Sequence, residues 1–157
     1  MKHIEYTFTT GMDDSAVDDH LRTAESGVLT LCGDGEPHAV PLVHYYDGER
    51  LYFRLGITEG SRKQELWEQT ETACYVLHGT EPTDDPRAID SWSIVVNGPL
   101  VEVPDSEHER FDTAEINRRF SPIRVFDEAI EEIQVLILAL EIDTITGRVT
   151  SDGAQVG

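Results

Sequence analysis

The sequence predicts a mainly β (α+β) fold, in which about six antiparallel strands close into a barrel with flanking helices. From residue 27 onward the apolar residues recur with a period of two, and turn signals such as Asp47-Gly48 separate the runs. The chain shows neither internal repeats nor a regular alternation of strands and helices, so a parallel dinucleotide-binding sheet is not expected. We predict that residues 1–157 form a single domain, because this length can bury a substantial core.

The first half of the chain predicts one helix followed by a strand meander. Val17, Leu21 and Ala24 recur at helical spacing within residues 13–24, and Gly27 follows them. Beyond that helix the expected elements are, in order, strands at 27–32, 37–46 and 49–55, a helix from Ser61 to about Gln69, and a strand at 72–78.

The second half is less regular. Residues 79–88 predict an irregular segment, and a long strand at 91–103 is expected to bulge or bend at Asn97-Gly98-Pro99. The remaining elements are helical segments at 106–120 and 127–132, a strand at 134–142 and a loose tail after Arg148. The run at 134–142 is almost continuously apolar and is therefore predicted to be the most buried strand.

Composition restricts the partners of the protein. The chain carries 31 acidic and 12 basic residues, which gives a net charge of −19, and only Lys2 and Lys63 are lysines. Acids spread along the whole chain are typical of a protein adapted to strong salt, where salt screens their repulsion. An ordinary acidic domain is the alternative. Because nucleic acids and anionic membranes need a basic face, neither is expected as a partner.

Neither a membrane span nor a secretory signal is expected from the sequence. No apolar stretch reaches the roughly 20 residues that cross a bilayer, and the first residues do not resemble a signal peptide. Cys32 and Cys74 lie in separate apolar runs without metal-ligand spacing, which predicts buried free thiols. We therefore expect a cytoplasmic protein.

A local excess of positive charge predicts a phosphate site. Residues 50–63 contain one acid, Glu59, and four bases: Arg50, Arg54, Arg62 and Lys63. Ser61 and Gln64 form a capping-box pattern, so Arg62 and Lys63 fall in the first turn of a helix, where cations are unfavourable by roughly 0.3–1 kcal/mol each. A phosphate bound at this helix N-terminus would compensate for them. The alternative is a set of surface ion pairs.

A second basic segment has two open interpretations. Residues 117–126 contain arginines and phenylalanines without an acid, namely Arg118, Arg119, Phe120, Arg124 and Phe126. This segment is expected either to face a partner subunit or its ligand, or to place arginines near a helix C-terminus.

Several ordered motifs resemble one known family. They are GVLTL at 27–31, GEPHAVPL at 35–42, DGERLYF at 47–53, GSRK at 60–63, WSIVVNG at 92–98 and LEIDTITGR at 140–148. Together they resemble the pyridoxamine 5′-phosphate oxidase-related, FMN-binding split-barrel family, in its nitroimidazole-reductase-like branch. The resemblance covers the predicted core at about 13–148 and implies a six-stranded antiparallel split β-barrel.

The resemblance also implies a cofactor, a partner and a set of binding residues. Such proteins form homodimers that bind FMN at the subunit interface. The residues that correspond to the phosphate site are Arg54, Ser61, Arg62 and Lys63. Those that correspond to the strand along the isoalloxazine ring are Val40, Pro41, Leu42 and Val43. Proline inside a strand is also typical of an edge, since it cannot donate to a neighbour.

Other side chains could contribute to the site. Trp92 begins a strand, where it would pack either against the cofactor or within the core. His44 could donate a hydrogen bond or proton to a flavin, or simply cap the barrel rim. The catalytic residues are not identifiable from the sequence, and no metal site is expected.

Two functions follow from the resemblance. The first is an FMN-dependent oxidoreductase that uses a nicotinamide donor on a small-molecule substrate. The second is a binding module for flavin, deazaflavin or haem without turnover. Relatives often carry histidine where this chain has Arg54, and the chain lacks the arginine-rich C-terminal signature of true pyridoxamine 5′-phosphate oxidases. Vitamin B6 oxidation is therefore not predicted.

Overall fold

The computed structural model describes residues 4, 6–24, 26–58, 61–81, 90–120, 122–123 and 129–150. The strands are β1 (Thr9–Gly11), β2 (Gly27–Gly33), β3 (Glu36–Leu42), β4 (Tyr45–Tyr46), β5 (Arg50–Ile57), β6 (Ala73–Glu81), β7 (Asp90–Gly98), β8 (Leu100–Glu102), β9 (Gln134–Glu141) and β10 (Thr144–Thr150). The helices are α1 (Asp14–Thr23), α2 (Arg62–Gln69) and α3 (Ala114–Asn117), with 3-10 helices at Asp105–Phe111 and Ile130–Glu132.

The strands form two antiparallel sheets. One has six strands in the order β1-β10-β7-β6-β2-β3, and the other has four in the order β4-β5-β9-β8. The predicted class, a mainly β split barrel with flanking helices, is confirmed. Ten strands are found in the described residues instead of six, partly because two predicted strands change sheets in mid-course.

Both sheet changes occur at positions that interrupt the ladder. The strand predicted at 37–46 divides after Leu42, and its second part becomes β4 of the smaller sheet. The strand predicted at 91–103 divides at Gly98-Pro99, where a bulge or bend was expected. A side chain at position 98 would overlap the carbonyl oxygen of Glu141, so the chain can approach this closely only as glycine.

The main core lies between the two sheets and beneath α1 and α2. Its fully buried members include Leu29, Tyr75, Leu77, Ile94, Val96, Leu51, Phe53 and Leu140. In β9, residues 136–140 are buried whereas Gln134 and Val135 are exposed, so the prediction for this strand is confirmed for its central part. A second cluster, which includes Tyr52, Phe111 and Phe120, fills the space between β5 and the segment at 105–120.

Both long helices begin at side-chain caps. The Asp13 carboxylate accepts a hydrogen bond from the Ala16 N–H at 2.8 Å. The Ser61 hydroxyl accepts one from the Gln64 N–H at 3.4 Å, which confirms the predicted start of α2. Among the described helices, none has the length and apolar character that crossing a bilayer requires.

Two predictions are wrong in this part of the molecule. Cys32 is exposed, because it lies on the outer face of β2, and Cys74 is only partly buried. The chain after Arg148 is not loose at once, since β10 continues to Thr150 and pairs with both β7 and β1. Residues 82–89, 121, 124–128 and 151–157 lie outside the described part, and with them Arg124 and Phe126.

Candidate functional site

A shallow groove lies where β3, the end of β5 and the start of α2 meet. It encloses about 40 Å³. Its described lining consists of Val40, Pro41, Leu42, Arg54, Leu55, Gly56, Lys63, Pro122 and Ile123. Five of these residues were predicted to bind a cofactor from the sequence: Val40, Pro41, Leu42, Arg54 and Lys63. We refer to this feature as the groove.

The strand β3 forms an exposed wall of the groove. It is the edge of the six-stranded sheet, with β2 as its neighbour, and Pro41 stands opposite Val28. Pro41 is exposed, whereas Val40 and Leu42 are half-buried. The missing N–H of Pro41 is tolerated at the edge of the sheet, as predicted.

Arg54 is the best-positioned cation of the groove. Its Nη1 donates a hydrogen bond to the side-chain oxygen of Asn117, and its guanidinium carbon lies 4.9 Å from the centre of the Phe120 ring. Asn117 in turn donates to the Asp112 carboxylate at 3.0 Å. These contacts hold the guanidinium group in place before a ligand arrives.

The basic residues at the start of α2 have different surroundings. Lys63 lines the groove. Arg62 instead lies 3.9 Å from the Glu65 carboxylate on its own helix, and Ser61 caps the helix. At the far end of β5, Arg50 lies 3.7 Å from Glu141. Arg50 and Arg62 therefore form ion pairs with nearby carboxylates, whereas Arg54 and Lys63 both line the groove.

Two further predicted contacts are not part of the groove in a single chain. Val43 follows β3 and is absent from the described lining. Trp92 stacks on His20, with ring centres 3.9 Å apart, and covers Gly79, where an added side chain would meet the indole ring. Trp92 therefore packs against His20 and Gly79 within one chain, and its contact with a cofactor stays a prediction.

His44 is buried and lies outside the described lining of the groove. Its side chain is 4% exposed. Its Nε2 lies 2.6 Å from the Leu21 carbonyl oxygen, to which it must donate, and its Nδ1 lies 2.8 Å from the Tyr75 hydroxyl. Burial lowers the pKa of His44, although the bond to Leu21 opposes this shift. His44 thus joins the end of α1 to the sheet.

The Tyr75 hydroxyl links His44 to the back of the groove. It lies 2.9 Å from the carbonyl oxygen of Leu42, which lines the groove, and burial raises the pKa of Tyr75. No local sequence pattern predicts this contact, because Leu42 and Tyr75 lie on different strands, β3 and β6.

The remaining basic residues near the site have mainly structural contacts. Arg119 donates to the Arg22 carbonyl oxygen at 3.0 Å, and Arg118 donates to Ala114 at 3.2 Å. Arg119 thus supports the helix-terminus interpretation. Phe120 contributes to the site by packing beneath Arg54. Within the described part of the chain, no group of three or more His, Cys, Asp or Glu side chains could hold a metal ion.

A comparison with known protein families identifies the family of this chain. Residues 13–149 match the model of the pyridoxamine 5′-phosphate oxidase family. The chain belongs to this family. No curated protein sequence matches the chain significantly.

Solved structures of family-like proteins share the fold. A candidate 5-nitroimidazole antibiotic resistance protein from Bacteroides thetaiotaomicron superposes with a TM-score of 0.70 at 18% identity, covering 93% of this chain and 90% of that one. An FAD-binding protein from Mesorhizobium loti gives a TM-score of 0.67 at 17% identity, covering 94% and 100%. The FAD-binding protein from Mycobacterium smegmatis gives 0.59 at 19% identity, covering 88% and 98%. Flavin-binding proteins are therefore among the structural neighbours.

Proposed function

We propose that this protein binds FMN in the groove and acts as a flavin-dependent oxidoreductase on a small molecule. The observation that carries the proposal is that Arg54 from β5 and Lys63 from α2 line the same groove as the exposed apolar edge of β3. A flavin mononucleotide has a phosphate at one end and a flat aromatic ring at the other, and both parts have a complementary surface here.

The phosphate would lie against Arg54 and Lys63. The guanidinium group of Arg54 is already held by Asn117 and Phe120, so less freedom is lost when it binds an anion. Lys63 adds a second positive charge in the first turn of α2, whose free backbone N–H groups also favour an anion. In a chain of net charge −19, these features concentrate positive potential at one place.

The ring would lie along β3. Val40, Pro41 and Leu42 offer a partly exposed apolar strip at the edge of the larger sheet. When bound, the flavin supplies the electron-transfer chemistry. The side chains of the groove bind its phosphate, orient its ring and exclude water from one of its faces.

A second copy of the chain is expected to complete the site. The groove encloses about 40 Å³ in one chain, whereas sites for molecules of this size enclose roughly 300–1,000 Å³. A homodimer with FMN at its interface would supply the missing wall.

One observation also favours the second candidate, a flavin-binding module without turnover. Among the described residues that line the groove, the only ionisable ones are an arginine and a lysine, Arg54 and Lys63. The groove thus provides no obvious acid or base. Hydride transfer from a nicotinamide donor needs none at the protein, so both candidates remain compatible with the site.

The decisive experiment is an absorption and fluorescence titration of the purified protein with FMN in concentrated KCl. Flavin bands that stay with the protein through gel filtration are expected. A protein that does not retain FMN would contradict the proposal. Repeated reduction of the bound flavin by NADH or NADPH and reoxidation by a defined acceptor would then distinguish an enzyme from a binding module.

A further inference from the structure

A second cavity adjoins the groove on the far side of Arg54. It measures about 630 Å³ and shares two lining residues with the groove, Arg54 and Ile123. The rest of its described lining comes from the 3-10 helix at Asp105–Phe111, from the residues around α3, and from β9. We refer to it as the adjoining cavity. Its volume lies in the range of ordinary small-molecule sites, which the groove alone does not reach.

The adjoining cavity has an apolar floor and an acidic rim. Phe111 and Ile137, each 3% exposed, form part of the floor, and the exposed Val135 lines the cavity beside them. Carboxylates of Asp105, Glu109 and Asp112 also line it. An apolar floor suits an aromatic base, and carboxylates accept hydrogen bonds from ribose hydroxyls and from an amino group. They would repel a phosphate everywhere except at Arg54.

We propose that the adjoining cavity binds an adenosine 5′-phosphate group with unmodified ribose hydroxyls, and that Arg54 holds the phosphate at its junction with the groove. The proposal rests on the proposed flavin site. Two molecules could bring this group there. One is FAD, whose adenylate half would extend from a flavin phosphate in the groove. The other is a separate adenine nucleotide that binds beside FMN.

The position of Arg54 supports a continuous ligand. Its guanidinium group stands between the two spaces and is fixed by Asn117, which also bonds to Asp112 inside the adjoining cavity. A phosphate group bound at Arg54 would therefore be accessible both from the groove and from the adjoining cavity. The carboxylates also predict which nucleotide is rejected: a 2′-phosphate on the ribose would meet negative charge.

The first test compares FAD with FMN on flavin-free full-length protein in concentrated KCl, by flavin fluorescence. We expect FAD to bind at least about 10-fold more tightly. Val135→Trp should fill the adjoining cavity and remove this preference, while FMN affinity changes by less than about 2-fold. Val101→Trp is the matched control, because Val101 and Val135 are each 45% exposed and Val101 lies outside the cavity. Ser106→Trp fills the cavity from a different element and should reproduce the effect.

The second test titrates AMP into the FMN-loaded protein by calorimetry. If the first test shows no preference for FAD over FMN, AMP binding would assign the cavity to a separate nucleotide. In that case Val135→Trp should weaken AMP binding by at least about 10-fold. Adenosine 2′,5′-bisphosphate should bind at least about 10-fold more weakly than AMP.

The outcomes separate this inference from the proposed function. Equal binding of FAD and FMN, together with no AMP binding, would overturn the inference and leave the flavin site intact. If neither flavin binds, the proposed function fails. AMP binding to the flavin-free protein then decides whether the adjoining cavity binds an adenosine 5′-phosphate group. An FAD preference that survives both tryptophan variants would also overturn the inference.

Discussion

Neighbouring residues at the start of α2 have different roles in the structure. Lys63 lines the groove, whereas Arg62 lies 3.9 Å from Glu65 and is absent from the groove lining. Both side chains are exposed. Sequence alone treats them as equivalent cations, and the structure separates them because consecutive helical residues point about 100° apart.

This difference predicts unequal effects on flavin binding. Lys63→Ala removes a charge-assisted contact to phosphate and should weaken FMN binding by at least about 10-fold, or about 1.4 kcal/mol. Arg62→Ala should change it by less than about 2-fold. Fluorescence titration of both variants in the same KCl concentration measures the difference, and thermal unfolding confirms that both fold. Equal losses would show that the phosphate does not lie at Lys63.

His44 predicts a pH dependence of stability. The folded protein holds this histidine with a lowered pKa, because it is buried at 4% exposure between Leu21 and Tyr75. As the pH is lowered, His44 is therefore protonated in the unfolded chain, at its ordinary pKa of about 6.5, before it is protonated in the folded protein. The free energy of unfolding falls as the pH drops below that value. Between pH 7.5 and 5.5 we therefore expect this group to lower the free energy of unfolding.

Chemical denaturation at the two pH values tests this expectation. His44→Gln should flatten the dependence relative to the wild-type protein, whatever its own stability. His38→Gln is the control substitution, because His38 is exposed on β3 whereas His44 is buried. Parallel slopes in the wild-type protein and His44→Gln would contradict the assignment.

The groove could be predicted only in part. Val40, Pro41, Leu42, Arg54 and Lys63 carry their signal in motifs, charge and position, so the sequence was sufficient for them. Residues 117–126 were expected, as one of two alternatives, to face a partner subunit or its ligand, but the contacts of Asn117, Phe120 and Ile123 at the groove were not specified. Their contribution depends on the segment after residue 103 folding back over β5, and no local pattern encodes that contact.

At the scale of elements, periodicity predicted where most strands lie but not which sheet they join. The alternation continues across Val43 and His44, yet the chain leaves the larger sheet there and enters the smaller one as β4. The buried contacts of His44 account for the break. The edge strand β1 and its neighbour β10 were missed because most of their residues are exposed and polar, which weakens the apolar pattern.

The crossing at Gly98 gives a prediction for this scale. A side chain there would overlap the backbone of Glu141, which cannot move without disturbing β9. Gly98→Ala should therefore destabilise the fold by about 2 kcal/mol or more. Gly11→Ala is the matched control, since an added Cβ there has no atom within 4 Å. Urea unfolding of both variants measures the difference, and equal midpoints would contradict the close approach.

At the scale of the whole molecule, the charge of −19 predicts stabilisation by salt. Repulsion among exposed carboxylates weakens as the screening length falls from about 10 Å at 0.1 M to about 3 Å at 1 M. Raising KCl from 0.1 to 2 M should stabilise the protein by about 2 kcal/mol, or roughly 4–8 °C in midpoint for a chain of this size. Thermal unfolding with sucrose in place of KCl controls for general solute effects. An unchanged midpoint would contradict the salt-adapted interpretation.

The small volume of the groove and the negative charge of the chain together predict a homodimer whose formation depends on salt. One chain encloses about 40 Å³ at the flavin site, so a second chain has to cover the ring if binding is to be tight. Two chains of charge −19 repel each other in dilute buffer, and salt should therefore favour the dimer.

Light scattering across KCl concentrations measures this coupling directly. We expect twice the mass of the chain in 2 M KCl and a shift towards the monomer at 0.1 M. FMN affinity should fall in parallel with the dimer fraction, because the same interface supplies the missing wall. Dilution at constant salt separates the two causes: it lowers the dimer fraction without changing screening, and FMN affinity should fall with it. A monomer that binds FMN equally well at every salt and protein concentration would show that the groove is complete in one chain.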